Sequence, residues 1–405
     1  MIQLYKMAFR NLGRNRRRSF FSALALGIGL ALLLLMAAVV SGEMNGALDS
    51  SIKLQSGHLQ VTAKTYDENK TSLAWEDLVE NPAVVAAQIA ALAPVKVATA
   101  RLFASGIITS GEESVGVRII GIDPASTANQ PFKDGLLSGA WLASDDRSGI
   151  LIGQTLANKL SLKTGDSINL LSNTSNGEVD QQPFTVRGIF TTHTPSFDQG
   201  SIFMPLAKAQ ALTKTENHAS TIFVLLKDKA QTGAVAAALQ SGQYQVKTWE
   251  QMNELVVQFE GLANSYMSLL YMIILAITAT VIINTLIMSV FERTREIGIL
   301  SAIGMRGGRI MAMFFAESSL LAVGGIVMGL VLGGLMIFYF VHYGFYIGNM
   351  GLTGIMLGER IYAQPTIKDT VNLSIITFIV TLLAALYPAL LAARMEPIEA
   401  LHGGK

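Results

Sequence analysis

The chain has no cysteine among its 405 residues. Disulfides, thiolate nucleophiles, iron–sulfur clusters and cysteine-ligated zinc are excluded with it. Charge is scarce as well. Asp, Glu, Lys and Arg make up 15% of the chain and hydrophobic residues 51%, whereas soluble domains carry about 25% charged residues. That balance argues against a wholly soluble protein and against disorder. The net charge of +1 leaves no global cationic surface for nucleic acid, and no nucleic-acid partner is expected. Motifs are missing too. No G-x-x-x-x-G-K-[ST] is present, so no phosphate-cradling loop; nor is H-E-x-x-H or G-x-S-x-G. The five histidines (His58, His193, His218, His342, His402) lie far apart, and His58 has no partner that would make it a ligand. The acid pairs Glu112–Glu113 and Asp145–Asp146 sit in polar, turn-like contexts and read as solvated turns. No catalytic residue, metal site or cofactor site is expected in this chain.

The near-zero net charge hides a partition. Residues 1–19 hold six cations and no acid; residues 41–265 hold 16 cations and 22 acids; residues 292–309 hold four Arg and two Glu. Between these lie runs without any charge: Phe20–Val40, Gly261–Phe291, Ser318–Phe340 and Thr370–Ala393. Each is long enough to cross about 30 Å of hydrocarbon as a helix, which takes about 20 residues. The arginine-rich segments mark the cytoplasmic side. The predicted fold is therefore a membrane protein with four transmembrane helices and both termini cytoplasmic. A large α+β extracytoplasmic domain is inserted between the first and second helices. The predicted boundaries are a cytoplasmic amphipathic helix at 1–19, spans at 20–40, 266–290, 310–341 and 370–393, an outer domain at 41–265, an outer loop at 342–369 and a cytoplasmic tail at 394–405.

Within the outer domain, strand composition marks Gly57–Ala63, Ser114–Ile122, Ser167–Leu171, Phe184–Phe190 and Thr221–Leu226, and helical composition marks Ala83–Leu92 and Thr232–Leu239. The order predicts membrane-proximal parts at 43–100 and 217–260 and a β-rich insert at 101–216, with a hairpin turn at Asn176-Gly177.

The spans carry their own signals. Ala23, Gly27 and Ala31 in the first helix, and Gly325, Gly329 and Gly333 in the third, recur every four residues. That spacing permits close helix packing in lipid, within one chain or between subunits. Ile2, Tyr5, Phe9 and Leu12 fall on one face of the N-terminal helix, which suits contact with anionic membrane lipids. Glu317, an acid inside the third span, is expected to snorkel or to pair with an Arg of the 293–309 loop. Between the second and third spans lies Glu292-Arg293-Thr294-Arg295-Glu296-Ile297-Gly298-Ile299-Leu300-Ser301-Ala302-Ile303-Gly304. It predicts a short amphipathic helix over 292–305, with Ile297, Leu300 and Ile303 on one side and Gly304 ending it in a left-handed conformation. Such a helix suits either a cytoplasmic partner or the inner leaflet.

That segment resembles the signature of the FtsX-like, MacB-type ABC transporter permeases. Other stretches are similar to the family as well: Ala8–Leu12 with Arg16–Ser19, Gly149–Gly153 through Asp166, Phe184–Phe190, Phe203–Leu206, and Tyr387–Ala389 through Leu401. Ser301 departs from the pattern, where Arg is common. The resemblance implies a non-catalytic membrane subunit in a bacterial inner membrane, with ATP and magnesium bound by a separate cytoplasmic ATPase that acts as a dimer. It also implies a second permease, identical or related, and motion passed through the long helices to the outer domain. The 292–305 helix would couple to the ATPase: Ile297 and Leu300 as apolar anchors, Gly298 at the closest approach, Glu292 and Glu296 meeting partner cations, with Arg293 and Gly304 completing the element. Leu54–Val61 resembles the lipoprotein-releasing (LolC/LolE-like) branch, which implies a lipoprotein or periplasmic substrate. The stretch Asn173–Pro183 is short and has one Pro, unlike that branch's carrier-capturing hook. Export of peptides or amphiphiles, and control of cell-wall hydrolases, are the alternative readings.

Overall fold

The computed structural model describes residues 2–68, 73–111, 113–240, 242–348 and 358–395. The chain forms two compact units, one of Met1–Glu43, Glu260–Phe345 and Ile361–Lys405, the other of Met44–Phe259 and Tyr346–Arg360. From the N-terminus come α1 (Ile2–Arg14) and α2 (Arg16–Ser51), which closes in a π turn at Ile52–Ser56. A β-rich stretch follows, with β1 (Leu59–Ala63), β2 (Val79–Glu80), α3 (Pro82–Ala90), β3 (Val95–Ser110), β4 (Glu113–Ile122), α4 (Gln130–Asp134), β5 (Leu136–Gly139) and β6 (Gly149–Gly153). Then come α5 (Gln154–Lys159), β7 (Ser167–Asn173), β8 (Val179–Phe190), α6 (Pro195–Gly200), β9 (Ser201–Pro205) and α7 (Leu206–Thr213). β10 (His218–Ala219), β11 (Thr221–Leu226), α8 (Thr232–Leu239), β12 (Tyr244–Thr248) and α9 (Trp249–Met252) close the stretch. The remaining helices are α10 (Glu254–Glu292), α11 (Thr294–Ala302), α12 (Gly307–Tyr343) and α13 (Ile367–Ala393).

Among the described residues, α2, α10, α12 and α13 are each long and apolar enough to cross a membrane. All four outrun the charge-free stretches, which mark only the part that fits in hydrocarbon. Helix continues wherever polar residues still favour it, so α2 extends eleven residues past Val40 to Ser51, and α10 begins at Glu254 rather than 266. The Arg-rich segment 16–19 belongs to α2 and not to the N-terminal helix. Of the predicted tail, 396–405 lies outside the described residues, as does the 349–357 part of the 342–369 loop.

The small-residue stripes of α2 and α12 meet each other. A Cβ on Gly27 would stand 3.1 Å from the Gly325 carbonyl oxygen and 3.2 Å from the Gly329 nitrogen. One on Gly333 would stand 3.2 Å from the Ala31 Cα. Backbone thus packs on backbone, the arrangement that small residues at four-residue spacing permit. The spacing is used within the chain.

In the β-rich unit the strand order is β12-β1-β11-β3-β4-β9-β6-β8-β5, with β7 bridging β3 and β8. Most pairs are antiparallel; β4–β9 and β6–β8 are parallel. The β1-α3-β3 and β11-α8-β12 runs build one half, whose core holds Leu59, Val61, Ile89, Ile222, Val224 and Val235. The insert has its own cores, one of them an aromatic cluster of Phe132, Phe190, Phe197 and Phe203. The expected boundary at 100/101 falls inside β3. That strand pairs with β11 up to Arg101 and with β4 from Leu102 onward. One 16-residue strand therefore serves both halves. The β7–β8 hairpin turns over Thr174–Glu178 with Gly177 at φ 76°, where only a residue without Cβ sits unstrained.

His58, just before β1, has an unusual role. Its Nδ1 accepts the Leu226 backbone N–H at 2.9 Å, so the neutral ring is the form the fold holds. Burial, helped by Lys229, pushes its pKa below the ordinary value. The unfolded chain then binds the extra proton first, so His58 adds stability above about pH 6.5 that is lost as pH falls below it. Melting of the β-rich unit between pH 7.5 and 5.5 should show this loss, and His58→Asn, which keeps an acceptor without a titration, should flatten it. An unchanged pH slope in the variant would contradict the assignment.

Candidate functional site

The segment after α10 folds as its sequence dictates at both ends. Arg293, at φ −111° and ψ 13°, breaks the helix, so Glu292 still belongs to α10 and α11 starts at Thr294. At the other end Gly304 adopts φ +94°. Its N–H donates to the Ser301 carbonyl, and the Met305 N–H donates to the Leu300 carbonyl, both at 3.0 Å. These two bonds satisfy the orphan carbonyls of the last turn, with glycine at the left-handed position. The result is a nine-residue helix, shorter than the 292–305 expected.

Which face points outward differs from the expectation. Ile297 and Gly298 are buried. Ile297 packs in a core with Val290, Ile310, Phe314, Ala389 and Ala392. Neither residue is available to a partner. Ile299 is 44% exposed and Ile303 79%; Arg295 is exposed with them, and Leu300 is half-buried. The reason is angular. Residues 297, 300 and 303 are spaced by three, so the last has drifted about 120° from the first at 3.6 residues per turn. Arg295, Ile299 and Ile303, spaced by four, form the exposed row.

The acids are also engaged within the chain rather than held for a partner. Glu292 accepts from Arg18 at 2.7 Å and from the Asn15 side chain at 3.1 Å. Glu296 accepts from Arg14 at 2.7 Å. Arg14 and Glu296 are more than half exposed and Arg18 and Glu292 partly so, which leaves each pair at most about 1 kcal/mol. What they do is set direction, tying the end of α10 and α11 to the α1–α2 corner. The cation-rich N-terminus and the two glutamates are the sequence signal for this contact, although the cations alone also fit lipid.

Beneath lies a stronger connection. Arg293 and Glu317 are each 3% exposed and pair at 3.2 Å, Nη1 to Oε2. Arg293 Nη2 donates to the Asn11 carbonyl at 3.2 Å. One guanidinium thus joins the α10–α11 break, the interior of α12 and the last turn of α1. Between α1 and α11 an open cleft of about 380 Å³ is lined by Met7, Arg10, Arg14, Ile299 and Leu300 among others. On α1, Ala8 is buried while Tyr5 and Phe9 face out. Gly325, Gly329 and Gly333 lie in the α2–α12 contact, away from this site. Among the described residues, no three His, Asp or Glu side chains gather as a metal site would require.

Comparison with known proteins gives the arrangement a family. The MacB-like periplasmic core domain matches residues 19–241, and the FtsX-like permease C-terminal domain matches residues 268–397. The lipoprotein-releasing system transmembrane protein LolC of Xylella fastidiosa is 25% identical over 98% of this chain and 98% of its own length. The corresponding protein LolE of Haemophilus influenzae is 21% identical over 94% of this chain and 93% of its own. The macrolide export ATP-binding/permease protein MacB of Neisseria meningitidis is 21% identical over 84% of this chain, which spans 54% of that protein.

Proposed function

Because the chain belongs to the FtsX-like, MacB-type family of ABC transporter permeases, we propose that it relays motion from a separate cytoplasmic ATPase to its β-rich unit, in the service of lipoprotein release. The observation that carries the first part is the exposed row on α11. Ile299 on α11 and Ile303 just past its end face out, beside Arg295, on a segment held by Arg14 through Glu296, with the preceding end of α10 held by Arg18 through Glu292. A rigidly held helix with free apolar side chains is a docking element. Lipoprotein release is supported by the names of relatives that align over almost the whole chain. In this reading both termini and α11 are cytoplasmic, ATP and magnesium bind the partner, and a second permease, identical or related, completes the assembly in a bacterial inner membrane. α2 and α10 carry the stroke, since a helix rises 1.5 Å per residue and is stiff along its axis.

Ile299→Arg with Ile303→Arg tests the docking element. Both side chains are solvent-facing, so the chain itself should stay folded and monodisperse. Co-purification of the ATPase from the native host should fall at least tenfold. Full recovery of the ATPase with the double variant would overturn the assignment.

A further inference from the structure

Arg101 is fully buried, with 0% exposure. Its Nη1 donates to the Leu54 carbonyl at 2.8 Å, and its guanidinium lies 3.7 Å from the Phe223 ring centre. Nε and Nη2 have no hydrogen-bond partner. Burial alone pushes the guanidinium down to about 9, still protonated at neutral pH. A buried cation with one neutral hydrogen bond and a ring face is expensive to hold. A stabilising core would not place it there.

Its position is informative. Arg101 is the last residue of β3 to pair with β11, and Leu102 is the first to pair with β4. It therefore stands where the two halves of the β-rich unit meet. Its acceptor, Leu54, lies in the π turn that ends α2, where carbonyls are left without helical partners. The side chain of the same Leu54 belongs to the aromatic cluster of the insert, with Phe132, Phe190 and Phe203. The turn is also tied to the start of α10. Ser51 donates to Asn253, which donates to Ser56, beside a polar cavity of about 100 Å³. The end of α2 thus grips the insert through one side chain and is gripped in turn through that residue's carbonyl.

We infer that Arg101 is a positioning residue that clamps the end of α2 to the sheet, so that displacement of the helix reaches the insert through Leu54. The clamp stands on the geometry alone; that it carries an ATP-driven stroke rests on the proposed function.

Hydrogen exchange on the full chain in lipid nanodiscs separates the two. In Arg101→Met, amides of 52–57 should exchange at least tenfold faster while β3, β4 and β11 keep their protection. Arg101→Lys, which retains one donor, should recover at least half of the loss. Wild-type protection at 52–57 in Arg101→Met would overturn the clamp. With the co-purified ATPase, ATP and vanadate should change exchange in α11 and in β6–β9 of the wild type. Arg101→Met should keep the first change and lose the second. Transmission to β6–β9 in Arg101→Met would overturn the inference. A wild type in which α11 itself does not respond would count against the proposed function, while the nucleotide-free comparison still decides the clamp. If Arg101→Met does not fold, Leu54→Ala leaves the carbonyl acceptor and removes the grip on the aromatic cluster. It should break the same transmission, and a normal β6–β9 response in it would overturn the inference.

Discussion

Arg293→Met should destabilise the helical unit by about 3–5 kcal/mol, the cost typical of leaving one partner of a buried ion pair uncompensated. Glu317 would remain 3% exposed with no cation in contact. Glu317→Met should cost a similar amount for the mirror reason. The double variant should recover most of either loss, because two apolar side chains of similar length remove both charges together. Recovery should be incomplete, since Arg293 also holds the Asn11 carbonyl at the end of α1. A double-mutant cycle by denaturant unfolding in detergent reads the coupling directly. Two small, additive losses would mean that water reaches the pair and that it does not organise the site.

Gly329→Ile should abolish the folded, monodisperse membrane protein. A Cβ there would stand 2.9 Å from the Gly27 carbonyl oxygen and 2.9 Å from the Leu30 Cβ. Backbone oxygen cannot swing aside as a flexible side chain can, so α2 and α12 must separate. Overpacking costs about 1–3 kcal/mol when side chains can adjust, and here the obstacle is fixed. Gly334→Ile is the control. It lies on the same helix, faces outward, and a Cβ there meets nothing within 4 Å. Size-exclusion profiles and thermal melting of the two variants should diverge sharply. Equal behaviour would show that the glycine contact does not hold the bundle.

Much of this architecture was legible in the sequence for simple reasons. Runs without charge mark the four long helices because lipid tolerates little else. β11 and α8 fall where composition put them, at Thr221–Leu226 and Thr232–Leu239, because alternation and alanine content are local signals. What the sequence hid depends on tertiary contact. β3 carries no break at residue 101, so nothing local shows that its partner changes there. The sequence does not show the outward face of α11, because isoleucines and leucine recur around most of the helix and only packing against Ala389 and Ala392 decides which turn inward. Glu292 and Glu296 read from sequence as acids held for cations of a partner; only the corner between α1 and α2 brings Arg18 and Arg14 to them. Sequence alone leaves Glu317 either snorkelling or pairing with an Arg of the 293–309 loop; packing brings Arg293 to it.

If the outward row of α11 seats a cytoplasmic ATPase, binding of that ATPase should shield it from a thiol reagent. The native chain has no cysteine, so Ile303→Cys introduces a single thiol at a position 79% exposed. A maleimide should label it rapidly in the isolated chain and at least tenfold more slowly once the ATPase is bound. Labelling of Ser175→Cys, in the β7–β8 turn, should be the same in both states. Equal rates at residue 303 with and without bound ATPase would contradict the account.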